Sequence, residues 1–263
     1  MGTEPLPPSP FGAGEVHVRL LWIPGSEAAA MAMAAEVLDP AEHRRAAAFQ
    51  DPPARRRYIT AHVGLRVLLG SLVGLAPERI SFVRERCGMP KCTEIHGRPA
   101  VEGHAKVHFS HSRAGDMALY AVAGAPVGVD VETREAAPSL TDGSAATSRW
   151  LAKLHQDERR ILTALPSAQR TDAFMSCWVR KEAYFKGIGT GLAAGLDSRY
   201  VGFAGDAVRP VEAAPPPPEG WHLVDVPVPA GYRASVALRR TGGTAERAEV
   251  GCRRFSLRQG EGG

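Results

Sequence analysis

Three short stretches concentrate the side chains able to do polar chemistry. In GVDVE (128–132), residues two apart on a strand project from one face, so Asp130 and Glu132 present two carboxylates side by side. Like charges so placed repel, and the arrangement calls for a cation or basic groups. Carboxylates without soft ligands nearby suit a hard ion such as Mg²⁺, which takes one or two of them and fills its shell from phosphate and water. On an exposed edge strand the same two charges would simply lie in water. FSHS (109–112) sets Ser110, His111 and Ser112 just before a turn. Neighbours on a strand point to opposite faces, so this is no nucleophile–base pair, and no G-x-S-x-G elbow accompanies it. His111 and the hydroxyls could instead meet phosphate oxygens, or serve as ordinary hydrogen-bonding residues.

The third stretch is CWVRKEAYFKGIGTGL (177–192). Phe174, Cys177, Trp178 and Phe185 form an apolar stripe near helical period. Glu182 and Lys186, four apart, meet on one face, and Lys181 lies about 100° around from Glu182. An exposed Glu-to-Lys pair would stabilise the helix by only about 0.3–0.5 kcal/mol. The alternative makes Glu182 a base, with the lysines holding phosphate charge. Gly187, Gly189 and Gly191 end the helix.

These residues need elements to position them. Alternation predicts strands over 16–22, 106–112, 116–124 and 126–132, with a short one at 79–84. The last three of the long strands, separated by SRAG and GAP turns, read as one antiparallel set. Helices are expected over 27–38, 39–49 with Asp39 as N-cap, 54–75, 148–154, 156–165 and 167–186. Short strands over 198–205, 221–228 and 232–240 follow among proline-rich turns. Each half repeats the outline of strands, helices and further strands. This predicts an α+β protein of two similar lobes joined near 124–127. A disordered segment over 1–14, a first lobe over 15–125, a second over 126–241 and a loosely attached tail over 242–263 are the expected parts.

Composition narrows the classes. With 263 residues, 44% hydrophobic and 23% charged, the chain can bury a sizeable core. No apolar run approaches the roughly 18–20 residues that span a bilayer, and 1–15 lacks a secretory pattern. A cytoplasmic protein with no membrane partner is expected. Four cysteines do not make a disulfide scaffold. Cys87, Cys92, His96 and His104 raise zinc, but their spacing fits no standard finger, and an irregular loop with free thiols is the better expectation. The net charge of +4 suits an anionic partner. Scattered arginines and the lack of a recognition motif argue against nucleic acid. Lysine occurs only at 91, 106, 153, 181 and 186, and two of those five lie in the third stretch, where a compact point charge would be useful.

HGRP, FSHS, GVDVE, the acidic helix HQDERRIL and WVRKEAYFKGIGTGL, in that order, resemble the larger, surfactin-type class of 4′-phosphopantetheinyl transferases. The resemblance runs from about 49 to 192, and its specific parts are G-V-D-V-E and W-x-x-K-E-A-x-x-K followed by G-x-G-L. It implies transfer of the 4′-phosphopantetheine arm of coenzyme A to a serine of an acyl or peptidyl carrier protein, releasing adenosine 3′,5′-bisphosphate. It also implies a pseudo-symmetric two-lobe fold, each lobe a small antiparallel sheet packed with helices, acting as a monomer. By resemblance, Asp130, Glu132 and Glu158 would bind Mg²⁺ (or Mn²⁺) at the pyrophosphate, Asp157 being the neighbour that could replace Glu158. Glu182 would deprotonate the serine while Lys181 and Lys186 face phosphate. Ser110 and His111 would touch coenzyme phosphates, and Gly97, Arg98 and Pro99 would lie beside the adenine. Arg57, helped by Arg44 and Arg45, would contact the 3′-phosphate. The Ala-, Arg- and Pro-rich composition suggests a high-GC bacterial genome, with polyketide or nonribosomal peptide synthases as clients. A metal-dependent pyrophosphohydrolase and a non-enzymatic coenzyme-binding module are the rival readings.

Overall fold

A computed structural model describes residues 11–12, 14–87, 89, 97–138, 140, 144–191, 195–205, 208, 215–240 and 249–257. The expected disordered 1–14 falls almost wholly outside these, as do Cys92 and His96 of the possible zinc set. Among the described residues Cys87, Cys177 and Cys252 are free thiols.

Strand β1 (Glu15–Trp22) is followed by helices α1 (Glu27–Val37), α2 (Pro40–Ala47) and α3 (Pro52–Val73). Asp39 caps α2 as its sequence requires, accepting from Glu42 N at 2.8 Å while Glu42 accepts from Asp39 N at 3.0 Å. Asp51 caps α3, and Gly74, at φ 72°, closes it in the left-handed conformation. Short strands β2 (Phe82–Arg84) and β3 (Pro99–Val101) lead to β4 (His108–Ala114), β5 (Met117–Ala123) and β6 (Val127–Thr133). Helices α4 (Ala145–Leu151), α5 (Gln156–Ala164) and α6 (Ser167–Ile188) precede β7 (Trp221–Asp225), β8 (Tyr232–Arg239) and β9 (Glu249–Phe255).

The strands form a six-stranded sheet, β2-β3-β4-β5-β1-β9, and a three-stranded antiparallel sheet, β6-β8-β7. The architecture is α+β, in four layers. Leu21, Phe109, Tyr120 and Val122 of the larger sheet pack on α1 and α3. Its other face, carrying Val16, Val18, Leu20 and Leu119, packs on Val127, Val129, Val131 and Val236 of the smaller sheet. The far side of the smaller sheet is covered by α6, with α4 and α5 outside it. Alternation along β1 and β6 is therefore read twice, once by each facing layer.

Three expectations are corrected. The strands β4, β5 and β6 are not one antiparallel set: β4 pairs with β5, whereas β6 leaves the sheet after the turn at 124–126 and pairs with β8. Within the expected loose tail, residues 249–257 are packed, because β9 pairs in parallel with β1 and Leu257 is buried in the first core. The larger sheet is thus not purely antiparallel. Residues 199–204 form no strand; side chains described below take up the backbone groups a strand ladder would have used.

Candidate functional site

The site begins with the packing of α6 on β6. Val127, Val129 and Val131 point into the inter-sheet core, which leaves Gly128, Asp130 and Glu132 on the α6 side. A Cβ on Gly128 would lie 1.9 Å from Ala183 O and 2.4 Å from Gly187 N. Only glycine permits this approach, and it lays the Glu182–Lys186 turn of the helix against the carboxylates. Lys186 Nζ lies 2.5 Å from Asp130 Oδ1 and donates to Ser112 Oγ at 3.0 Å and Val129 O at 3.3 Å. Ser112 Oγ donates to Asp130 Oδ1 at 2.8 Å. Asp130 is only 3% exposed, which removes the exposed-edge alternative, and its buried Oδ2 has no hydrogen-bond partner among the described residues.

The electrostatics bind three carboxylates together. Burial first, then the Asp130 charge and Glu182, push Glu132 up to about 7 against the pull of Lys186. Glu182 is also raised, by burial and then Asp130, with Lys186 and Lys153 opposing. Among the described residues no three Asp, Glu, His or Cys side chains close up into a metal cage. The donor set does fit a hard cation held by Asp130 and Glu132. An orphaned carboxylate oxygen and a neighbour that resists ionisation are what such an ion relieves, and phosphate and water supply the remaining ligands.

Beside this lies a basic basin. On β4 the serines face β6, where Ser110 Oγ accepts from Val129 N at 3.1 Å. His111 turns the other way, toward α3. Its ring meets His62 edge-on at 5.2 Å, and His62 stacks on Tyr58 at 4.0 Å. The Arg113 guanidinium lies over Phe49 and Tyr58, and Arg45 over Phe49. Burial first, then the neighbouring basic groups His62, Lys186, Arg113 and Arg84, hold His111 down to about 3. His111 is thus a neutral imidazole among cations, a combination suited to a polyanion. Arg44 is exposed on α2, and Arg57 pairs with Asp116 at 3.1 Å.

The Gly97–Arg98–Pro99 run joins the two halves. Gly97 N donates to Glu85 O at 2.8 Å, and a Cβ there would meet that oxygen at 2.6 Å. Arg98 pairs with Glu85 at 2.6 Å and donates to Gly187 O at 2.9 Å. The run is thereby fixed on the C-terminal end of α6, one residue from Lys186.

Glu158 and Lys181 are not in this constellation. Both side chains are 0% exposed and lie 2.6 Å apart. Glu158 accepts from Val201 N at 2.7 Å, Gly202 N at 3.3 Å and His155 N at 2.9 Å. Lys181 Nζ donates to Leu196 O at 2.9 Å and Arg199 O at 2.6 Å. With both groups so engaged, the pair staples 196–202 to α5 and α6, and Glu158 does not take the expected metal position. Asp157 spends its carboxylate on Arg160 at 3.1 Å. The third acid beside Asp130 and Glu132 is Glu182.

Ser112, whose hydroxyl the sequence offered for phosphate oxygens, shares the Ser110 face of β4 and bonds Asp130 and Lys186 instead. Two residues missing from the sequence-based site stand close to it. His62 follows Tyr58 by one helical turn, a weak signal. Lys153 Nζ lies 4.4 Å from the Trp150 ring and 5.4 Å from the Trp178 ring. Nothing in local spacing announced it, because the contact joins α6 to the residues just after α4.

Residues 126–237 match the family model of the 4′-phosphopantetheinyl transferase superfamily. The chain is 29% identical over 225 residues to the 4′-phosphopantetheinyl transferase HetI of a Nostoc species, covering 85% of this chain and 87% of that one. It is 32% identical over 143 residues to the 4′-phosphopantetheinyl transferase psf-1 of Bacillus pumilus, 54% of each chain. Identity to the 4′-phosphopantetheinyl transferase Sfp of Bacillus subtilis is 25% over 198 residues, 74% of this chain and 84% of that protein.

Proposed function

We propose that this chain is a member of the 4′-phosphopantetheinyl transferase superfamily, whose model its residues 126–237 match, and that its site moves the phosphopantetheine arm of coenzyme A to a serine of an apo carrier protein. The observation that carries the proposal is the meeting of Asp130 and Glu132 on β6 with Glu182 and Lys186 on α6. In this reading the basin of Arg45, Arg113 and His111 receives coenzyme phosphates. The 97–99 run borders the adenine, with Arg57 and Arg44 at the rim of the basin.

Glu182 takes the proton of the attacking hydroxyl. Its raised pKa brings it toward the range in which a carboxylate accepts protons effectively near neutrality. The serine oxygen forms a bond to the β-phosphorus as the bridging P–O bond breaks, and adenosine 3′,5′-bisphosphate departs. Lys186, within reach of Asp130 and Ser112, offsets negative charge developing on the phosphates. Asp130 and Glu132 are the residues that would hold Mg²⁺, or Mn²⁺, which when bound supplies positive charge to the pyrophosphate. Ser112 fixes the Asp130 rotamer. Lys181 and Glu158 act on this chemistry only through the position of α6. Two lobes meeting at the site, a monomer in the cytoplasm, and polyketide or nonribosomal peptide synthase carriers complete the proposal.

The test is mass spectrometry of an apo carrier protein incubated with this protein, coenzyme A and Mg²⁺. A gain of one phosphopantetheine on the carrier is expected, together with adenosine 3′,5′-bisphosphate. Cleavage of coenzyme A with an unchanged carrier would instead identify water as the acceptor and overturn the proposal.

A further inference from the structure

The basin around His111 contains a second imidazole for which the reading above has no use. His62 stands on α3 with its side chain 16% exposed, and its Nδ1 lies 3.0 Å from Glu42 Oε1. Glu42 is itself held firmly: its Oε2 receives Arg66 Nε at 2.6 Å and Asp39 N at 3.0 Å. Burial opposes ionisation of Glu42, but the bonds from His62 and Asp39 N and the Arg66 charge outweigh it, so its carboxyl sits below the usual range. An ionised carboxylate therefore backs one nitrogen of the ring, which directs the Nδ1 proton toward it. Nε2 is the nitrogen that Glu42 does not engage, and the ring edge abuts His111.

We propose that His62 is a further coenzyme-binding residue, which takes up a proton from solvent when a phosphate dianion enters the basin, with Glu42 holding the resulting imidazolium. The inference rests on the reading that the basin receives coenzyme A. His62 is faced by Glu42 from α2, by Tyr58 of its own helix and by His111 from β4. Arg113 lies beyond the Tyr58 ring, and Arg66 lies behind Glu42. Tyr58, its phenol pushed up to about 12 by burial, stays neutral. Among the described residues His111 has basic groups around it and no carboxylate partner, whereas His62 has a carboxylate at hydrogen-bond distance. The proton therefore goes to His62. In the complex the imidazolium is shared between the Glu42 carboxylate at Nδ1 and the phosphate at Nε2.

The experiment is calorimetric titration of the full chain with coenzyme A between pH 7.0 and 8.5, in two buffers of different protonation heat. A phosphate monoester is already dianionic there, its second pKa being about 6. Wild-type protein is expected to take up close to one proton near pH 7, and its Kd to weaken by up to about tenfold per pH unit. His62→Phe keeps a ring against Tyr58 but cannot be protonated. It should bind about 3- to 30-fold more weakly at pH 7 and lose the proton uptake and the slope. His62→Gln, which does not rely on the stack, should lose the same uptake. Wild-type binding without proton uptake, or an unchanged slope in both variants, would overturn the inference and leave the coenzyme reading standing. Failure of the wild type to bind coenzyme A would overturn both.

Discussion

Lys181 and Glu182 are neighbours in the chain and opposites in situation. Lys181 points into a closed pair in which every partner is protein, and it is fully buried opposite Glu158. Glu182, one helical step of about 100° away, shares a site with Asp130 and Glu132, where a carboxylate oxygen lacks a partner and burial raises carboxyl pKa values. One face of α6 is finished by the fold. The other is left electrostatically incomplete and awaits charges from outside the chain. The difference separates structural from chemical use of the same residue types, and it is invisible in the tripeptide Arg180–Lys181–Glu182.

Four changes would break or sharpen this contrast. Glu182→Gln should lower the transfer rate about 10²–10⁴-fold, as expected on losing a general base, without lowering the melting temperature; single-turnover transfer and a thermal melt check both. Lys181→Met should do the reverse. It strands the Glu158 charge and should destabilise the fold by about 3–5 kcal/mol, read by urea titration, and pairing it with Glu158→Leu should recover part of that loss. Should Lys181→Met abolish transfer with stability intact, the division between the two faces would be wrong. Gly128→Ala pushes a methyl group into Ala183 O and should cost about 1–3 kcal/mol or more, with α6 displaced from β6 and transfer falling alongside stability.

The smallest effect is one of pH. Glu132 has a folded pKa of about 7 against an ordinary value of 4.5. The native state therefore binds more protons than the unfolded chain between those values. Stability from this group is present below about 4.5 and is lost as pH rises through about 7. In chelator, the melting temperature should decline over that window, and Glu132→Gln should flatten the decline. Added Mg²⁺ above pH 7 should restore it, which a thermal melt series will show.

Much of this was legible beforehand because it is local. Asp39–Pro40 announced a helix start, the period of two placed Asp130 and Glu132 on one face, and glycine marked the end of α6. The partners in the finished pair were not legible. Glu158 reads as an acidic helix start and its sequence cannot say that 201 and 202 will bring their N–H groups to it. The failed strand at 199–204 has the same cause, since Glu158 of α5 and Ser176, Arg180 and Lys181 of α6 bond its backbone in place of a ladder. Of the candidate site, the carboxylates and Lys186 follow from motif and spacing. Lys153 and His62 depend on which elements pack together, which propensity does not encode.

The parallel pairing of β9 with β1 bears on the order in which the molecule can assemble. Leu257 N reaches Ser26 Oγ across 231 residues, so β1 has one edge that is covered only after β6, α6 and β8 have been synthesised. Contacts of such sequence separation slow folding, because loop closure precedes the reward. Until then the nascent chain exposes an apolar β1 edge able to pair with other chains. During synthesis, then, the two halves are not independent folding units. The first is completed by the last described residues of the chain, and a ribosome-stalled fragment ending at β8 should remain a substrate for chaperones.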